Sequence, residues 1–268
     1  MIISVINHTA GKISDEVLQN TIRAINRQIS EDFEPYWSLG ANLRLEGRSE
    51  KSPDKLEPSD MRGDAVIYIW DKSDVEDAIG YHDKNNSGIS FGFVFIEIAK
   101  QAGESWTVTL SHEAFELILD PEVNLLVMGP HPDPAEKGRS VFHWYEACDA
   151  VQAESYEIDG IEVSNFLLPL YFTAGDEFDG RNDFLGRSHY GKTLKSFGVN
   201  PGGYVGFYDP KKGDMDTFSM KGDKVAQRRM KFKKKAEGAR RAVRYQRYVT
   251  TMKVKLSKQE VWTKTLKK

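Results

Sequence analysis

Short apolar runs alternate with amphipathic stretches from the first residue. "MIISVINHT" alternates as a strand. "SDEVLQNTIRAINRQISEDF" then sets Val17, Ile22, Ile25 and Ile29 at helical spacing behind Ser14 or Asp15 as N-cap. "ANLRLEG" reads as a second strand, and "GRSEKSPDKLEPSDMRGD" as a polar loop. "AVIYIWD" is a continuous apolar run of strand length, the pattern of a central strand buried on both faces. "GYHDKNNSGISFGFVFIEIA" reads as a turn followed by a strand, with Phe91, Phe93 and Phe95 on one face and Val94, Ile96 and Ile98 on the other.

The next element is predicted to be a helix from Glu104 to Leu119, stopped at Asp120-Pro121 because a residue before proline avoids the helical region. Val108, Ser111, Phe115, Ile118 and Leu119 form one packed face, and Leu110, Ala114 and Leu117 cover much of the rest. A helix apolar nearly all round belongs in the interior. Its polar stripe is narrow: His112, Glu113, Glu116 and Asp120.

Beyond a Pro/Gly/His loop, "VFHWYEACDAVQAESYEIDGIEVSNFLLPLYF" predicts a short helical or turn segment carrying Glu146 and Asp149. A hairpin through Asp159-Gly160 and an apolar strand follow. Residues 174–223, rich in Gly, Asp and Asn, read as mostly loop, and 224–248 as a basic arm with helical character.

Charge divides the chain. Residues 211–268 hold 20 Lys and Arg against 5 Asp and Glu, whereas the first 210 hold 17 against 35. The expected organisation is therefore an acidic domain over 1–210 and a basic C-terminal arm over 211–268. No run of 18 apolar residues predicts a membrane span, and the N-terminus lacks the charged and apolar regions of a signal peptide. Cys148 is the one cysteine, which rules out an intrachain disulfide and suits a reducing compartment. A cytoplasmic or virion-associated protein is the expectation.

Ionisable groups are costly to bury unless they are paired or bind a metal. On a helix, His112 and Glu116 stand one turn apart on one face and can point at a single ion, with Glu113 alongside. A third ligand is needed, and "EACD" offers Glu146 and Asp149; Asp120 and His143 are further candidates, and Glu122 a weaker one. The bland alternative is a hydrogen-bonded His112–Glu116 pair and two solvated acids.

His112-Glu113-x-x-Glu116 resembles the H-E-x-x-H helix of zinc metallopeptidases, with Glu in place of the second His. Carboxylates are acceptable zinc ligands, so the departure is compatible with binding. The resemblance is to the gluzincin branch of the zincins. It implies Glu146 as third ligand, Asp149 as the partner that orients His112, and Glu113 as general base, with the roles of Glu146 and Asp149 exchangeable. It also implies an α+β, zincin-like fold: a mixed sheet packed on helices, a buried metal-binding helix, and a cleft wall at 88–95 that pairs with an extended peptide. "SHEAFE", the following "DP" and "EACD" further resemble a group of bacterial and phage-like proteins over roughly residues 1–210.

The function so implied is a metal-dependent hydrolase, a zinc metallopeptidase acting on a peptide or protein, with His143, Tyr145, His82 or His189 available to stabilise an oxyanion. Zn²⁺ is the first choice. The second carboxylate hardens the ligand set and makes Mn²⁺ or Ca²⁺ more competitive. The alternative is a non-enzymatic, phage-associated or nucleic-acid-binding protein with a structural or vestigial metal site. In that reading Arg228, Arg229, Lys233, Lys234, Lys235, Arg240 and Arg241 would contact phosphates, with Phe232, Tyr245 and Tyr248 available to stack on bases.

Overall fold

The long apolar run at "AVIYIW" becomes the middle strand of the main sheet, and the rest of the fold is arranged about it. The computed structural model describes residues 1–47, 55–71, 79–85, 87–173, 175 and 180–227. In chain order the elements are β1 (Ile2–His8), α1 (Asp15–Gln28), α2 (Glu34–Trp37), β2 (Asn42–Glu46), β3 (Ala65–Trp70), β4 (Gly80–Lys84), β5 (Ser90–Phe95), α3 (Ile96–Ala102) and α4 (Trp106–Leu119). Then come β6 (Leu126–Pro130), β7 (Ser140–Trp144), β8 (Ser155–Ile158), β9 (Ile161–Ser164), β10 (Val205–Asp209) and β11 (Asp214–Phe218). Among the described residues no helix is long and apolar enough to cross a membrane.

The main sheet has the order β2-β1-β3-β5-β4. Its first four strands run parallel, and β4 returns antiparallel beside β5. One face, carrying Ile3, Val5, Ile67, Ile69 and Val94, packs on α1 and α4. The other holds an aromatic layer of Tyr68, Phe91, Phe93 and Phe95 with Val66 and Leu56. The phenylalanine alternation is therefore as expected. Ile96 and Ile98, however, belong to α3 rather than to a continued strand.

Ser14 caps α1 by accepting from the Val17 N–H. Leu18, Ile22, Ile25 and Ile29 are buried, whereas Val17, expected on that face, is 49% exposed. A π turn at Ile29–Phe33 then swings Phe33 into the core, where its ring stacks on Phe115 at 4.5 Å. Burying a side chain of this size contributes about 2 kcal/mol.

The interior helix predicted from the pattern is α4. It starts two residues later than expected, because the Ser105 hydroxyl accepts from the Thr107 N–H and caps it. Every residue from Thr107 to Leu119 is buried. Ser111 Oγ accepts from the Ser164 N–H at 2.7 Å and Thr107 Oγ1 donates to the Glu162 carbonyl at 2.6 Å, which ties α4 to β9. Asp120 ends the helix, and its Oδ2 accepts from the Leu125 N–H.

A second, antiparallel sheet has the order β11-β10-β7-β6, and β8 and β9 form the hairpin expected at Asp159-Gly160, both with positive φ. Three expectations change. Residues 88–95 do not form the sheet's rim: β5 lies between β3 and β4, and the outermost strands are β2 and β4. "NFLLPLYF" is an irregular segment with a 3₁₀ turn at Pro169–Phe172, not a strand. The β10–β11 hairpin crosses the division predicted at residue 210, so the ordered fold continues past it.

Candidate metal centre

Helix α4 presents three of the cluster's side chains, and its burial sets their chemistry. Nε2 of His112 lies 3.0 Å from Oε1 of Glu116, the i,i+4 approach expected on one helix face. Strand β4 runs beside α4 and contributes His82. The His82 Nδ1 is 3.1 Å from Oε2 of Glu113 and 3.3 Å from Oε2 of Glu116. The segment after β7 supplies the other two acids. Asp149 Oδ1 is 3.5 Å from His112 Nε2, and Glu146 Oε2 is 3.7 Å from His82 Nε2.

Close packing holds this geometry. A Cβ at Gly80 would lie 2.8 Å from Glu113 Oε1 and 2.9 Å from the Phe93 carbonyl oxygen, so only glycine lets β4 approach the helix here. Gly92 pairs directly opposite His82, which leaves the strand beside the imidazole without a side chain. Tyr204 donates its hydroxyl to Asp149 Oδ1 at 2.8 Å, and its N–H bonds the Asp149 carbonyl.

All six groups are at least nine-tenths buried. Burial opposes a charge on His112, but the neighbouring Glu116 and Asp149 outweigh it and raise its pKa to about 10. In the absence of another cation the imidazole is thus the positive partner of these acids. Cys148, buried beneath them with its Sγ 4.0 Å from the His112 carbonyl oxygen, is pushed well above the usual thiol range by burial and then by Glu116. It is an inert thiol, not a nucleophile.

Among the described residues, two sets of three donors could each hold a metal ion: His112, Glu116 and Asp149, and His82, Glu116 and Glu146. Within each set the ligand atoms lie within 4.8 Å of one another. The donors are imidazole nitrogen and carboxylate oxygen, suited to divalent cations of intermediate to hard character.

The predicted residues separate as follows. His112, Glu113, Glu116, Glu146 and Asp149 converge. Asp149, rather than Glu146, faces His112, and Glu146 faces His82. Asp120 and His143 fall outside both sets. Asp120 holds the turn after α4, and His143 bonds the Pro130 carbonyl at 2.8 Å between the rings of Phe197 and Phe207. His189 pairs with Glu154, Tyr145 packs on Phe172, and Glu122 pairs with Lys84. His82, considered only for an oxyanion role, sits in the cluster itself. The "NNSG" turn between two alternating runs was the hairpin signal that would have placed it on a strand. Arg228, Arg229, Lys233, Lys234, Lys235, Arg240 and Arg241 lie outside the described residues. A cavity of about 300 Å³ lined by Ser4, Ile6, Leu56, Met61 and Tyr68 lies on the sheet's other face, away from this chemistry.

Comparison with protein-family models, with curated proteins and with solved structures finds no match to this chain.

Proposed function

We propose that the chain is a divalent-cation-dependent hydrolase of peptide bonds, with zinc as the first candidate ion and Mn²⁺ or Ca²⁺ as competitors. The observation that carries the reading is the position of Glu113, buried beside the His112–Glu116 pair and fixed by His82 Nδ1 at 3.1 Å. Support comes also from the resemblance of H-E-x-x-E followed by E-x-x-D to the zincin signature.

Bound in this cluster, a divalent cation would polarise the scissile carbonyl and acidify water. Glu113 would accept the proton of the attacking water and return it to the departing amine. His82 Nδ1 would hold the Glu113 carboxylate in place, while His112 Nε2, Glu116 and Asp149 would together hold the cation. β4 is one of the two edge strands of its sheet, so an extended substrate segment could pair alongside it and pass the cluster.

The burial of all six groups favours a second reading, a closed structural cation that ties β4, α4 and the 146–149 segment together. Incubating the metal-loaded full chain with a peptide pool separates the two. Cleavage that disappears with chelator and returns with metal supports the hydrolase; retained metal without any cleavage overturns it in favour of the structural cation.

A further inference from the structure

We propose that the cluster is built for two divalent cations bridged by the carboxylate of Glu116. The two oxygens of this side chain face different imidazoles: Oε1 lies 3.0 Å from His112 Nε2, and Oε2 lies 3.3 Å from His82 Nδ1. The second acids stand at the Nε2 atoms, Asp149 for His112 and Glu146 for His82, which leaves His82 Nδ1 to Glu113 when Nε2 takes the cation. Glu116 is thus the shared member of two otherwise separate three-donor sets, drawn from β4, α4 and the segment after β7.

Charge points the same way. Glu113, Glu116, Glu146 and Asp149 are four carboxylates at no more than 6% exposure, and their four negative charges match two dications with both imidazoles neutral. One dication would leave two of those negative charges unmatched. Two ions held by one carboxylate commonly sit about 3.5–4 Å apart, a spacing at which one bridging side chain serves both. The competing arrangement is a single cation in the His112 set, with His82 standing between Glu116 and Glu146 in place of the second ion.

The proposal rests on the cation-binding part of the reading above and not on hydrolysis, so its test needs no substrate. The full chain would be stripped with chelator and titrated with Mn²⁺, with bound metal counted by equilibrium dialysis and its electron paramagnetic resonance recorded. Two equivalents with a spin-coupled spectrum are expected. Glu146→Gln and Asp149→Asn should each lower the count to one and leave the spectrum of an isolated ion. One equivalent that survives Glu146→Gln but is lost in Asp149→Asn would overturn the bridged pair and keep a single-cation site. No bound Mn²⁺, Zn²⁺ or Ca²⁺ would overturn both readings. The spectrum of the unmutated chain decides the matter even if a variant fails to fold.

Discussion

Nδ1 of His82 lies 3.1 Å from Oε2 of Glu113, joining an edge strand of the main sheet, β4, to the interior helix α4. The contact fixes a carboxylate that stands beside the ligands without belonging to either three-donor set. Glu113→Gln keeps the size and the neighbour but removes the basic oxygen. Metal content should be unchanged while peptide turnover falls by about a hundred-fold or more. Turnover equal to that of the unmutated chain would remove Glu113 as the base.

At Gly80, β4 approaches α4 closely. A methyl group there would press on Glu113 Oε1, Thr109 Cγ2 and the Phe93 carbonyl oxygen, all within 2.9 Å. Gly80→Ala should lower stability by about 1–3 kcal/mol through overpacking and weaken metal binding by displacing His82 and Glu113. Urea unfolding and a metal titration on the same variant check both parts. Unaltered affinity with lowered stability would show that His82 is not held to its place by this packing.

Tyr204 touches the cluster at Asp149, to which its hydroxyl donates at 2.8 Å. Outer hydrogen bonds of this kind orient a ligand, and their loss usually weakens metal affinity by about 10–100-fold. Tyr204→Phe should show that loss in competition with a chelating dye, while Glu146→Gln in the same assay reports on the other set. Affinity unchanged in Tyr204→Phe would argue against Asp149 as a ligand.

Much of this site could be read from the chain because its signals are local. The helix over 106–119 declares itself by an apolar pattern on nearly every face and a stop at Asp120-Pro121, and His112 and Glu116 share a face by spacing alone. Glu146 and Asp149 were reachable through the resemblance, Asp149 as the partner of His112 among two exchangeable roles, but not that Glu146 would face a second imidazole. His82 was missed because its strand has five residues and a weak pattern of its own; only the turn at 85–88, taken as a hairpin signal, pairs it with β5 and sets its register. The β10–β11 hairpin escaped for a related reason. Its Gly and Asp content reads as loop, and the burial of Val205, Phe207 and Asp209 depends on packing with distant segments.

His143 gives the fold a pH dependence separate from the metal chemistry. Burial between aromatic rings holds its pKa down at about 4, from an ordinary 6.5. Between those values the unfolded chain binds a proton that the folded chain refuses, so stability is full above pH 6.5 and falls as the pH drops toward 4. The displacement corresponds to about 3 kcal/mol. Unfolding free energies at neutral and acidic pH should show this loss in the unmutated chain and a correspondingly smaller one in His143→Gln, which retains a donor for the Pro130 carbonyl. Equal slopes in the two proteins would contradict the assignment.

The most direct test of the central claim is crystallography of the zinc- or manganese-soaked chain with data collected at the metal's absorption edge. The expected result is anomalous density within coordination distance of His112 Nε2, Asp149 and Glu116, with a second peak toward His82 and Glu146 where the bridged pair forms. A fully soaked crystal with no anomalous peak among these side chains would contradict it.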